Sequence, residues 1–331
     1  MTYSICPSLD EPPDTVVLSH GDIVQLKIPR GDVLAVVDAA VAEWAAGRAA
    51  QHIKVALPVS KSRAVHAMPA VIPLYGISSV KWVSIDRARS GSSAIRDTIL
   101  LSSLETGRLI AVLDAHWITA ARTAAITLIA ARHLAIESPR RIGFIGAGQQ
   151  AMHHLEALID QYPSIRVAVA VTRSADGAES LIRRARELGL EAVSSREPRD
   201  ACDGADIIVS SVPASGCARP FLNPRWLGPN SFASLIDLGR AWGRFPSQWG
   251  EMYTDDLEQT QALIRSRSIS HVGPFEGDLR QLVSEGASPI DGSPRAVLFA
   301  GMGIPDAALA ALVNSRARKA GGGLQVSLGP P

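Results

Sequence analysis

Near the middle of the chain, Gly146-Ala147-Gly148-Gln149-Gln150-Ala151 has the spacing of a turn that cradles phosphates. It follows the apolar run Arg141-Ile142-Gly143-Phe144-Ile145 and precedes a helical pattern that reaches about Gln161. In that setting Gly146 permits a tight turn and Gly148 lets the backbone approach a pyrophosphate, while Ala151 allows helix and strand to pack closely. The helix N-terminus offers unpaired N–H groups and the positive end of its dipole to the phosphates. The spacing therefore predicts dinucleotide binding, with Gly146, Ala147, Gly148, Gln149 and Gln150 against the cofactor.

The end of the next strand selects the dinucleotide. A site for NAD places Asp or Glu there, about 20 residues on, to hold the ribose 2′-hydroxyl. Here the strand runs into Thr172-Arg173-Ser174, with no carboxylate before Asp176. An arginine flanked by two hydroxyls suits a 2′-phosphate, which an acid would repel. The expected cofactor is NADP(H), with NAD(H) as the alternative. Ser210-Ser211-Val212-Pro213 closes a further strand where the nicotinamide ribose would lie, which adds Ser211 and Val212 to the cofactor set.

These residues need elements to hold them. The first third is strand-rich and mixed. Thr15-Val16-Val17-Leu18 reads as a strand, and Ser19 with Asp22 as a capping box. Val33, Val36, Val37, Val41 and Trp44 predict a helix over 32–46, with Gly47 at its end. Alternating apolar residues follow over 52–84, and a hairpin turns at Glu105-Thr106-Gly107-Arg108. Beyond 118 the texture changes. A helix over 118–135 is followed by strand 141–145, a helix to 161, strand 166–171, helix 178–188 and strand 207–209. Segments 231–237 and 252–253 continue the strands, and a helix over 306–319 closes the chain. This alternation predicts an α/β protein, a Rossmann doubly wound parallel sheet plus a mixed α+β domain. The predicted domains are 1–117 with 304–331, and 118–303.

Composition narrows the function. In 331 residues, 33 Lys and Arg face 32 Asp and Glu, so no basic excess exists for nucleic acid. With 47% hydrophobic and 20% charged residues the chain is neither disordered nor membrane-like. No basic segment followed by an apolar core opens the chain, and no run of about 18 apolar residues spans a bilayer, so a cytoplasmic protein is expected. Cys6, Cys202 and Cys217 are too scattered for a disulfide framework or a metal site, and no metal is expected.

Several runs carry a resemblance: Gly76-Ile77-Ser78-Ser79-Val80-Lys81-Trp82-Val83-Ser84, Glu105-Thr106-Gly107, Ile118-Thr119-Ala120-Ala121-Arg122-Thr123-Ala124-Ala125 and the glycine turn. In this order and spacing, from about Leu18 to Leu312, the chain resembles the ornithine cyclodeaminase/mu-crystallin family. The resemblance implies a homodimer, with the mixed α+β domain (1–117 and 304–331) serving substrate binding and dimerisation, that forms or reduces C=N bonds at the α-carbon of amino acids with a nicotinamide. It implies that Arg122 holds the substrate α-carboxylate, that Lys81 contacts the carboxylate and activates the reacting centre, and that Asp237 is the catalytic proton acceptor. It also places Lys54 and Met68 at the substrate and Thr123 at the cofactor.

Some positions depart from the family pattern. Lys54 stands where a second carboxylate-binding arginine is usual, and His66 where ornithine cyclodeaminases carry glutamate. These departures point away from ornithine. Val80-Lys81-Trp82-Val83-Ser84, Ser234-Leu235-Ile236-Asp237-Leu238 and Thr254-Asp255-Asp256 look like the dehydrogenases that make 2,3-diaminopropionate from N-(2-amino-2-carboxyethyl)-L-glutamate. Lys54, Arg87, Arg89 and Arg240 are candidates for a second substrate carboxylate. The resemblance leaves three alternatives: redox-neutral cyclodeamination, reduction of a cyclic imine or ketimine, and non-catalytic ligand binding of the mu-crystallin type. The segment 240–251, with Trp242 and Trp249, reads either as a pocket lid or as a surface loop.

Overall fold

Local signals set the opening elements. Strand β1 (Thr15–Leu18) ends at Ser19, whose side chain and that of Asp22 form a reciprocal capping box on α1 (His20–Gln25). Helix α2 (Arg30–Ala45) buries Val33, Val36, Val37, Val41 and Trp44 along one face. The strands β2 (Ala50–Gln51), β3 (Val55–Pro58), β4 (Arg63–Ile72), β5 (Ile77–Asp86), β6 (Ile95–Ser103) and β7 (Leu109–Asp114) follow. Helix α3 (His116–Leu134) carries the chain onward. Then come β8 (Arg141–Ile145), α4 (Gln149–Gln161), β9 (Val167–Val171), α5 (Glu179–Glu187), β10 (Glu191–Ser195), β11 (Ile207–Ser210) and β12 (Phe232–Leu235). The remainder is β13 (Glu251–Thr254), α6 (Leu257–Arg265), β14 (Gly277–Asp278), α7 (Leu279–Glu285), β15 (Arg295–Leu298), α8 (Ile304–Ala320) and β16 (Leu324–Val326).

This computed structural model describes residues 14–86, 88, 95–173, 176–213, 219–243, 250–266, 268–269 and 273–328. The expectations for Cys6, Arg87, Arg89, Ser174, Cys217 and Trp249 lie outside the described residues. The chain divides into two compact units, Met1–Ala125 with Met302–Pro331, and Ile126–Gly301.

The first unit is built on a sheet of order β16-β1-β7-β6-β5-β4-β2, with β3 added to β4. β1 pairs parallel to β7, and the β4, β5, β6 and β7 ladders are antiparallel. One face of that sheet is covered by α8, which packs on β4, β5, β6 and α2. Alternation sorts the side chains: Met68, Ile77, Lys81, Val83, Ile99 and Leu101 are buried, whereas Trp82 and Leu100 are exposed.

The second unit is a fully parallel sheet of order β10-β9-β8-β11-β12-β15-β13-β14, the doubly wound Rossmann arrangement. From β8 the chain winds outward through β9 and β10, then returns to place β11 and β12 on the other side. The switch point therefore lies between β8 and β11, where such sheets bind ligands. Strands covered on both faces carry no alternation, and β8, β11, β12 and β15 are almost wholly buried.

The sequence reading passed over β10 and β15. In β10 only Ala192 is buried, because the strand lies at the sheet edge. Short β15 is Arg-Ala-Val-Leu, too brief to announce itself by period. Among the described residues, no helix is long and apolar enough to cross a membrane. Cys202 is buried, which pushes its thiol up to about 12 and keeps it protonated.

Candidate functional site

The glycine turn sits at the switch point of the second unit. Gly146 adopts φ +89°, which side chains with a Cβ disfavour, and its N–H donates to the Val171 carbonyl at 2.9 Å. A Cβ on Gly146 would stand 3.1 Å from the Ser211 carbonyl oxygen, so the residues after β8 and β11 touch across the crevice. Gly148, by contrast, has ordinary extended backbone (φ −81°, ψ −163°), and a Cβ there would meet no protein atom. The protein itself does not require glycine at 148, but a phosphate approaching the start of α4 would. No side chain caps α4, so its first N–H groups remain available to an anion. The buried Ser211 Oγ and Gln150 Oε1 have no hydrogen-bond partner among the described residues. These features fit a dinucleotide. Ala147 and Gln150 are half-buried, Gln149 is exposed, and Ala151 is fully buried against the sheet.

At the end of β9, Thr172 donates its N–H to the Ser195 carbonyl and is half-buried, while Arg173 is exposed. Val212 is half-buried beyond β11.

Asp237 lies just past the C-terminal end of β12, in the turn that follows. Its Oδ1 accepts from Ser210 Oγ at 3.2 Å and from the Gly239 N–H at 3.1 Å, while its buried Oδ2 has no partner among the described residues. Burial raises this carboxyl from 3.8 to about 6, opposed by the Arg240 charge, the Ser210 hydroxyl and the amides of Val212 and Gly239. Leu238 takes φ +61°, a left-handed conformation costly for a branched side chain, directly beside the carboxylate. Trp242 is 2% exposed and donates from Nε1 to Ser210 Oγ at 3.0 Å, so it orients the hydroxyl that binds Asp237. Within 240–251, Trp242 is thus neither lid nor surface loop, and residues 244–249 lie outside the described part.

A buried polar chain holds α3, α4 and β12 together. Nδ1 of His154 lies 2.7 Å from the Gln150 carbonyl, which assigns the proton to Nδ1. Nε2 then accepts from Thr127 Oγ1, which in turn accepts from Ser234 Oγ, at 2.9 and 2.8 Å. Desolvation lowers His154 to about 4, so the ring is neutral and serves the packing beneath Asp237's strand.

In the first unit, Lys81 is 2% exposed, in the middle of β5 and directly across from Met68 on β4. Its Nζ donates to Thr119 Oγ1 and to Asp306 Oδ1 at 3.1 Å, and stands 3.4 Å from Asp97 Oδ2. Thr119 passes a hydrogen bond on to Asp97. Arg122, 7% exposed on α3, donates from Nε to the same Asp306 Oδ1 at 3.0 Å. Two buried cations thus face two buried carboxylates, the arrangement a low dielectric demands. The sequence reading named both cations and missed Asp97, Asp306 and Thr119. The terminal nitrogens of Arg122 have no partner among the described residues and form a planar fork suited to a carboxylate. Thr123 spends its hydroxyl proton on the Thr119 carbonyl one turn back. Lys54 is half-buried immediately before β3, whose Val55 registers with Ala67, the neighbour of Met68.

The profile of the ornithine cyclodeaminase/mu-crystallin family matches residues 14–242. Alanine dehydrogenase of Archaeoglobus fulgidus is 29% identical over 225 residues, 67% of this chain and 67% of that protein. The ketimine reductase mu-crystallin of Rattus norvegicus is 26% identical over 227 residues, 68% of each chain. Among solved structures, an archaeal alanine dehydrogenase dimer with bound NAD has the same fold, with a TM-score of 0.83. It is 24% identical and the match covers 95% of this chain and 99% of that one.

Proposed function

Because the chain belongs to the ornithine cyclodeaminase/mu-crystallin family, we propose that it oxidises the α C–N bond of an amino acid to an imine, which water then hydrolyses. It is an NAD(P)-dependent enzyme of amino- and imino-acid chemistry. The observation that carries the substrate class is the buried Lys81–Arg122 pair, in which Arg122 keeps its terminal fork for a carboxylate. The finer substrate we propose is N-(2-amino-2-carboxyethyl)-L-glutamate. A second substrate carboxylate would engage Lys54 or Arg240.

The turn Gly146–Ala151, with Ser211 and Val212, would hold the dinucleotide, and Thr172 and Arg173 would favour a 2′-phosphate. A bound nicotinamide supplies the hydride acceptor. Arg122 and Lys81 orient the carboxylate, which contributes entropically to rate. Asp237, ionised above about pH 6, takes the amine proton as the C=N bond forms, then assists the attacking water. Each turnover releases one proton with the reduced cofactor. Hydrolysis then consumes one water and yields 2-oxoglutarate and 2,3-diaminopropionate. In the reverse sense, protonated Asp237 can donate to an imine that is being reduced, in keeping with the ketimine reductase relative.

A homodimer belongs to the same reading. The sheet face of the first unit opposite α8 exposes Val55, Leu57, Trp82 and Leu100, a patch that a second copy of the chain would cover.

The test is incubation of the purified chain with NADP+ or NAD+ and the glutamate–diaminopropionate adduct, following reduced nicotinamide and 2-oxoglutarate. Net reduction with 2-oxoglutarate release is the expected result, and the faster cofactor settles the dinucleotide. A flat trace with the adduct removes that substrate, and ornithine, lysine and cyclic imines are then assayed in turn. No turnover with any of them removes the C–N oxidoreductase assignment.

A further inference from the structure

We infer that Asp306 is the positioning residue for carboxylate recognition, fixing Lys81 and Arg122 in one geometry so that the terminal nitrogens of Arg122 remain for the substrate. The inference rests on the reading that this cation pair takes a carboxylate. One oxygen, Oδ1, accepts from Lys81 Nζ at 3.1 Å and from Arg122 Nε at 3.0 Å, and so couples β5 to α3. Asp306 itself is 1% exposed and comes from the first turn of α8, an element remote in sequence from both cations. Its position along the sheet is set by Gln51, whose Oε1 accepts the N–H groups of Gly303 and Ile304 at the start of that helix.

Two features separate positioning from simple structural pairing. First, the second oxygen, Oδ2, is buried and has no partner among the described residues. An ion pair kept only for stability would gain by satisfying it, since an unmet buried acceptor costs about 1–3 kcal/mol. The carboxylate has instead been turned so that a single oxygen serves both cations. Second, Asp97 already stands beside Lys81 and receives the Thr119 hydrogen bond, so Lys81 has a counter-charge without Asp306. With both acids present the quartet is formally neutral. An incoming carboxylate is then recognised by the direction of the guanidinium fork rather than by excess positive charge.

The experiment uses the full chain with NADPH and a flat probe, pyrrole-2-carboxylate, with pyrrole-2-carboxamide as its uncharged control. Calorimetric Kd, thermal midpoint and NADPH affinity are measured for wild type, Asp306→Glu and Asp306→Asn. Asp306→Glu keeps the charge but moves the oxygen by one methylene. The wild type should bind the carboxylate and not the carboxamide. Both variants should bind it at least about tenfold more weakly, with NADPH affinity unchanged. Weaker binding by Asp306→Asn is the informative sign, because removing a negative charge would by electrostatics alone tighten an anion. Unchanged binding by Asp306→Glu, or tighter binding by Asp306→Asn, overturns the inference and leaves Asp306 a charge balancer. Loss of NADPH affinity in step with probe affinity assigns a structural role and also overturns it. A wild type that does not distinguish carboxylate from carboxamide sinks the carboxylate reading itself, and this inference with it.

Discussion

In the proposed mechanism Asp237 must be strong enough a base to take a proton, yet it is held where its ionised form is disfavoured. Burial raises it to about 6, from 3.8 in an unstructured chain. The consequence for stability has a definite sign. Well below pH 3.8 both states are protonated and the carboxyl contributes nothing. As pH rises toward 6, the unfolded chain ionises freely while the folded one resists, so stability falls. Above about pH 6 the loss is constant at about 3 kcal/mol. Asp237→Asn should remove this titration and, on the proposed mechanism, abolish turnover. The thermal midpoint of the variant relative to wild type should therefore rise between pH 4 and pH 7.5, and a parallel pair of curves would refute the buried-acid account. In wild type the oxidative kcat/KM should fall as pH drops through about 6, because the proton acceptor is lost.

Two glycines of neighbouring elements are constrained for different reasons, and the difference can be measured. Gly143 lies in β8, and a Cβ there would come 1.7 Å from the Ala201 carbonyl oxygen. Gly143→Ala must push backbone against backbone, so it should destabilise the fold by about 1–3 kcal/mol or more. Gly148 has open space and ordinary backbone angles. Gly148→Val should leave chemical denaturation within about 1 kcal/mol of wild type yet weaken dinucleotide binding at least about tenfold. A Gly148 variant that keeps its NADPH affinity would remove the phosphate from the start of α4. The motif Gly146-x-Gly148-x-x-Ala151 pointed to the cofactor because its spacing is local. It gave no hint of Gly143, whose constraint comes from the segment around Ala201.

For the molecule as a whole, the proposed dimer would form on the sheet of the first unit. Trp82 is 45% exposed, and its register neighbours are Ala67 on β4 and Thr98 on β6, while Val55 also faces Ala67. The exposed apolar side chains therefore lie side by side rather than scattered. Trp82→Lys places a charge in the middle of that patch, and a dimer formed there should dissociate to monomer in sedimentation measurements. If the variant sediments as wild type does, the interface lies elsewhere.

What the sequence determined by itself is what depends on neighbours along the chain. The capping box at Ser19, the apolar face of α2, the β6–β7 hairpin and the strand–turn–helix around Gly146 are all short-range, and each is present. The family resemblance further singled out Lys81, Arg122 and Asp237. Tertiary structure alone decided what surrounds them. Asp306 reaches Lys81 from 225 residues away and Arg122 from 184, and no pattern of types or spacing encodes that contact. The basicity of Asp237 and its hydrogen bond from Ser210 likewise arise only when the parallel sheet sets β11 beside β12. Desolvation and charge pairing are properties of a packed interior, so they come into being with the fold and not before it.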